Sequence, residues 1–197
     1  MRVLAIDTSN DFLRMALVDA GEVVLEVSEP MKNNASEILM PQIAQLLNSR
    51  PFAVNLVAVS KGPGSYTGVR VGVTVAKTLA YAWDVPLVGV SSLELLPKSV
   101  HVEGIIVPTI DARRESVFAA AYDENGQLLI PEGHYMEAEL LEKVGTFGTF
   151  TRVITPEVNP AVVLANLAVD RAPIEDIHSF SPEYLRKTEA ENNLGGS

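Results

Sequence analysis

Ile6-Asp7 recurs as Ile110-Asp111, and Asp19 recurs as Asp123 in the same register, so that MALVD in the first half aligns with AAAYD in the second. Around these anchors hydrophobic spacing reads strand-strand-strand-helix-strand-helix, and then the same order again. A repeat that mixes both kinds of element describes one duplicated α/β unit, not a solenoid. In the first copy Val3–Asp7, Phe12–Asp19 and Glu22–Val27 predict three strands joined by tight turns. Ser36–Asn48 predicts a helix with Ile38, Leu39, Ile43, Leu46 and Leu47 on one face, and Pro41 lies near enough to its start to be tolerated. Ala53–Ser60 and Pro86–Val90 predict strands, and Ser91–Leu96 a short helix capped by Ser91 or Ser92. In the second copy Ile105–Asp111 and Ser116–Asp123 predict strands. A third begins at Gln127–Ile130 and has room to run to Met136, followed by a helix at Glu137–Val144, a strand at Arg152–Thr155 and a helix at Ala161–Asp170. The polar connector Pro97–Glu103 divides a lobe of residues 1–100 from one of 101–190, and residues 191–197 form a polar, Gly-rich tail expected to be disordered.

One segment sends two signals. Val69, Val71, Val73 and Val75 alternate as in a strand, while Gly68, Gly72, Ala76 and Ala80 recur every fourth residue as a ridge of small side chains on a helix. The length and Ala content of Val69–Asp84 favour the helix.

Composition narrows the function classes. The chain has 197 residues, 47% of them hydrophobic, and 15 Lys plus Arg against 25 Asp plus Glu give a net charge of −10. That is the profile of a globular protein, and the acid excess argues against nucleic acid held by this chain alone. With no cysteine, disulfides, thiolate metal sites and a thiol nucleophile are excluded. The opening MRVLAID is too short for a signal-peptide core, and no apolar run approaches the ~18 residues of a membrane span. A cytoplasmic protein without membrane contact is the expectation.

Candidate chemistry gathers at three places. The loop KGPGSYTG, Lys61–Gly68, could cradle phosphate on its amides through Gly62, Gly64 and Ser65, but it lacks the Gly-Lys-Ser/Thr ending of a P-loop and the glycine spacing of a dinucleotide fingerprint. Its plainer reading is a turn whose glycines allow close packing. Asp7, with Thr8 after it, and Asp111 end equivalent strands, so they either face a nucleotide–metal cleft or serve turn chemistry, with an Asp7–Arg or Asp111–Arg113 salt bridge as a third outcome. His101, His134 and His178 are isolated in sequence and form no metal-ligand spacing, and no serine sits in a G-x-S-x-G elbow. The two long helices carry apolar residues on more than one face, which suits a core and equally an interface.

Ile6-Asp7-Thr8-Ser9, Ser36-Glu37 with Pro41, GPGSYTGVRVG with the Ala-rich stretch to Ala80, Ser91-Ser92-Leu93-Glu94, Asp111-Ala112-Arg113 and Pro182-Glu183-Tyr184-Leu185-Arg186 together resemble the TsaB (YeaZ) family, end to end and in order. The resemblance implies the duplicated actin/Hsp70-like (ASKHA, ribonuclease H-like) α/β fold. It implies a part in bacterial synthesis of N6-threonylcarbamoyladenosine in tRNA, as the non-catalytic subunit that binds the metal-bearing transferase TsaD, with the ATPase TsaE joining the complex. It implies a homodimer when the chain is alone, tRNA contact only through the complex, no metal or catalytic residue, and no tightly bound cofactor, with ATP or ADP a candidate at the complex interface. The family pattern usually has a histidine where this chain has Ala35, and the partner's metal-binding histidines have no counterpart. On this reading Ile38, Ile43, Leu47, Val69, Val73, Lys77 and Tyr81 are expected at the partner interface. The alternatives are a small-molecule kinase of the same superfold using Asp7 and Asp111, disfavoured by the lack of glycine in Thr8-Ser9-Asn10-Asp11, and a glycoprotease-like hydrolase.

Overall fold

The computed structural model describes residues 1–31, 34–49 and 54–185, the last four of the second stretch by backbone alone. The first copy comprises β1 (Arg2–Asp7), β2 (Phe12–Asp19), β3 (Glu22–Pro30), α1 (Ala35–Ser49), β4 (Leu56–Ser60), α2 (Tyr66–Trp83), β5 (Leu87–Val90) and a short α3 (Ser92–Leu95). The second comprises β6 (Ile105–Asp111), β7 (Ser116–Tyr122), β8 (Leu128–Met136), α4 (Glu137–Gly145), β9 (Phe150–Val153) and α5 (Pro160–Ala168). The sheets run β3-β2-β1-β4-β5 and β8-β7-β6-β9. Duplication extends to the pairing: β1 is antiparallel to β2 and parallel to β4, as β6 is antiparallel to β7 and parallel to β9.

The first sheet is covered on both faces, which explains why β1 reads as a continuous apolar run. Leu4, Ile6, Met15, Leu17, Val57 and Val59 face α1 and α2, while Val3, Ala5, Ala16, Val18, Leu56 and Ala58 face α5. The helix α5 belongs to the second copy by sequence, yet Ala161, Leu164, Ala165 and Ala168 pack on the first sheet. A smaller core under α4 joins Leu140 and Val144 to Val107, Val117, Ala119, Ala121 and Ile130.

The ambiguous segment is a helix, begun at Tyr66, three residues earlier than its pattern indicates. Ser65 caps it by accepting the N–H of Gly68 at 3.3 Å, and Asp84 closes it in a left-handed conformation at φ 53°. The small-residue ridge faces inward. A Cβ on Gly68 would lie 2.1 Å from the Thr8 carbonyl oxygen, and one on Gly72 would lie 2.3 Å from Thr8 Oγ1. Close approach to β1 therefore decides for helix. The strand β9 begins at Phe150 and β3 runs on to Pro30, both beyond the sequence expectation. Ala53 and the 191–197 tail lie outside the described residues.

Candidate functional site

The ends of β1 and β6 meet at a cleft of about 670 Å³ lined by both copies, and Asp7 and Asp111 both line it. Each aspartate closes the same turn. The Ser9 N–H donates to Asp7 Oδ1 at 3.0 Å, and the Arg113 N–H donates to Asp111 Oδ1 at 2.8 Å. The turn chemistry readable at both positions is realised at both, and both residues also line the cleft.

The two carboxylates nevertheless differ. Asp7 is 1% exposed, and its cross-strand partner is Arg14, itself 8% exposed. Antiparallel partners project on one face of a sheet. Burial lowers the proton affinity of the Arg14 guanidinium, and the charge of Asp7 works against that. Arg14 also donates to Asn10 Oδ1 at 2.7 Å and lies over the Phe12 ring at 4.8 Å. Asp111 is exposed and has Val117 opposite it. Beyond it Arg113, Arg114 and Glu115 hold φ of 65°, 54° and 58°, a conformation that costs a residue with a side chain about 1–2 kcal/mol. Ser116 braces this turn by donating its hydroxyl to the Arg113 carbonyl at 2.7 Å.

That bond also bears on hydrolysis. His134 Nε2 lies 2.8 Å from Ser116 Oγ, a pairing that sequence spacing does not reveal. Since the one serine proton goes to Arg113, the histidine donates to the serine and does not deprotonate it. Ser116 is also buried, and in this arrangement the pair braces the turn. His101 lies 3.6 Å from Glu157, and His178 meets the edge of Tyr81. Among the described residues no three His, Asp or Glu side chains group so as to hold a metal.

The Gly-rich loop packs against the chain itself. A Cβ on Gly64 would lie 2.1 Å from the Ser9 carbonyl oxygen, to which the Ser65 N–H donates at 2.7 Å. Gly64 and Ser65 line the cleft. Gly62 instead accepts the Ser92 N–H through its carbonyl at 2.9 Å, and Thr8 is fully buried with its hydroxyl on the Gly68 carbonyl at 2.7 Å. The loop's glycines and amides thus serve packing of α2 on the β1 turn. Gly64, Ser65, Tyr66 and Thr67 nevertheless line the cleft, where three aspartates, Asp7, Asp11 and Asp111, stand beside Arg113.

The residues expected at a partner interface separate into three groups. Ile43, Val69 and Val73 are each 1% exposed and belong to the core under the first sheet, because the inward turn of the Gly68–Gly72 ridge carries its neighbours with it. That corrects their assignment to an outer surface. Lys77 is engaged: its ammonium donates to the carbonyls of His178 at 2.9 Å and Phe180 at 2.6 Å. Ile38 is half-buried and Tyr81 is 69% exposed, while the side chain of Leu47 lies outside the described residues. Among the described residues Met40 on α1 and Tyr81 on α2 are exposed large apolar side chains, and Ile38, Val71 and Val75 are half-buried against the core.

The carbonyls that Lys77 holds belong to a strap, residues 171–185, that returns along α2. Ile174, Ile177 and Phe180 pack on the first core, Glu183 pairs with Lys61 at 2.8 Å, and Tyr184 stacks on Tyr66 with ring centroids 4.8 Å apart. The family resemblance includes Pro182–Arg186 but assigns it no role. The signal was the three-residue spacing of Ile174, Ile177 and Phe180 in an otherwise polar stretch.

The family model of TsaD, tRNA N6-adenosine threonylcarbamoyltransferase, matches residues 27–145, from within β3 through α4. The tRNA threonylcarbamoyladenosine biosynthesis protein TsaB of Bacillus subtilis is 37% identical over 97% of this chain and 96% of its own length. The chain belongs to the TsaB family. The Escherichia coli TsaB is 33% identical over 73% of this chain and 64% of that protein. Two solved structures from Pseudomonas aeruginosa share the fold: YeaZ, with a TM-score of 0.73, 23% identity and coverage of 93% of this chain and 99% of that one, and a protein described as similar to peptidase YEAZ, with a TM-score of 0.76, 24% identity and coverage of 94% and 99%. The two-lobe α/β body of this TsaB-family chain is accordingly the duplicated ASKHA-type fold. No helix among its described residues is long and apolar enough to cross a membrane.

Proposed function

We propose that this chain is a non-catalytic subunit in the synthesis of N6-threonylcarbamoyladenosine in tRNA, supporting a TsaD transferase by docking onto it. The observation that carries this reading is 37% identity over 97% of the chain to a tRNA threonylcarbamoyladenosine biosynthesis protein. The match of residues 27–145 to the TsaD model supports a partner of related fold, so the two proteins can meet through related surfaces. The docking face is the open side of α1 and α2 around Met40 and Tyr81, which a second copy covers when the chain is alone. TsaE joins the assembly, tRNA is reached only through it, and the complex works in the cytoplasm. The three aspartates that line the cleft, Asp7, Asp11 and Asp111, support a chain that holds no nucleotide tightly by itself and leaves ATP or ADP to the complex interface. Reconstitution tests the reading: with TsaD, TsaE, tRNA and the enzyme that makes threonylcarbamoyl-adenylate, tRNA modification depends on adding this chain. Equal modification in its absence contradicts the proposal.

A further inference from the structure

The two lobes are joined where the chain passes from α3 to β6 and again where it returns from β9 to α5. Both passages are tied at one buried point, since the Ser99 carbonyl accepts the N–H groups of Glu157 at 3.0 Å and Val158 at 3.1 Å. Two crossings clasped at a single residue make a hinge, and hinge residues of this kind absorb the rotation of one lobe against another. Away from the clasp, where α3 also lies against β6 and β7, a further connection is made by side chains. Glu132, on β8 of the second sheet, accepts the hydroxyl of Ser91 on Oε2 at 2.6 Å and the hydroxyl of Tyr122 on Oε1 at 3.1 Å. Tyr122 ends β7 in the same lobe as Glu132. Ser91 follows β5 of the first sheet, is 7% exposed, and caps α3 by accepting the Leu93 N–H at 3.2 Å. A carboxylate bonded by two hydroxyls is a strong acceptor, and here each hydroxyl has a single proton to give. The residues just beyond Ser91, namely Ser92, Leu95 and Leu96, line the cleft. Whatever holds Ser91 therefore holds that wall of the cleft.

We propose that Glu132 is a positioning residue, a strut off the hinge axis that fixes the angle between the lobes and so the width of the cleft. Tyr122 steadies the carboxylate within its own lobe, and Ser91 receives it from the other. The proposal stands on these contacts and is independent of the TsaB reading. The absence of cysteine allows a direct test on the full chain. Thr78→Cys on α2 and Glu142→Cys on α4, both exposed positions, take one spin label in each lobe. Pulsed dipolar spectroscopy on this pair gives a narrow distance distribution with Glu132 in place. Glu132→Ala broadens the distribution and shifts its mean by several ångström, and Glu132→Gln, which keeps an acceptor at the same reach, restores most of it. Ser91→Ala, which cuts the bridge from the opposite lobe, broadens it as Glu132→Ala does and serves if that variant fails to fold. Tyr122→Phe leaves the link between lobes intact and keeps the distribution narrow. A distribution unchanged in Ser91→Ala or in folded Glu132→Ala, or one that Tyr122→Phe broadens as much, overturns the strut.

Discussion

Gly64 and Gly68 show what the Gly-rich loop is for. Each takes the place of a side chain whose Cβ would sit 2.1 Å from a backbone oxygen of the β1 turn. Gly68→Ala should lower stability by about 1–3 kcal/mol in chemical denaturation, the usual cost of forcing a methyl into a packed contact. Gly145→Ala, which has nothing within 4 Å, should leave stability unchanged or slightly higher. Tyr122 gives a prediction with a definite sign. Burial foremost, and then the charge and hydrogen bond of Glu132 and the charge of Glu94, push its phenol well above the ordinary value near 10. A phenol kept neutral by folding contributes stability fully below that ordinary value, and the contribution is lost as pH rises from there toward its own higher one. Ultraviolet titration should find one tyrosine ionising only with alkaline unfolding, and Tyr122→Phe should remove it. The paired aspartates and their turns were legible in the sequence because an Asp at a strand end followed by polar residues encodes an Asx turn locally. Arg14 opposite Asp7 was not, since it depends on a strand register that local pattern does not give.

The helix α2 carries two periodicities, and packing rather than propensity separates them. Its glycines fit only against the β1 turn, so Val69 and Val73 go to the core and a different set faces outward. The ridge of small side chains does admit a close neighbour, and that neighbour is Thr8, just past the end of β1. The face left for a partner is therefore smaller than the sequence suggested. Met40→Asp and Tyr81→Ala should each weaken capture of TsaD by about tenfold or more without altering the fold, as truncation of an interface anchor does. Retained capture in both variants would remove α1 and α2 from the docking face. The strap makes a separate prediction. Lys77→Met, which keeps the aliphatic stem and loses two charge-assisted bonds to His178 and Phe180, should speed amide exchange in residues 174–185. Ile174 N–H on the Leu87 carbonyl at 2.8 Å and Glu183 N–H on that of Lys61 at 2.8 Å are the reporters.

Duplication made the whole molecule legible: two sheets with matching pairings, a cleft between them and one aspartate from each copy at its edge. The exchange of α5 onto the first sheet was hidden, because Ala161–Ala168 is apolar enough to bury against either sheet and only the path of the chain decides. The same path brings both crossings to Ser99, and three aspartates, Asp7, Asp11 and Asp111, line the cleft beside the Gly-rich loop. On the proposed function, a body built in this way contributes surface to an assembly. The direct measurement is the initial rate of tRNA modification by the reconstituted system with Asp111→Asn, and separately Asp7→Asn, in place of the native chain. Both substitutions keep the oxygen that accepts the Ser9 or Arg113 N–H. The account predicts rates close to native for both; a variant that folds and still binds TsaD, yet abolishes modification, would show that the cleft carboxylates take part in the reaction.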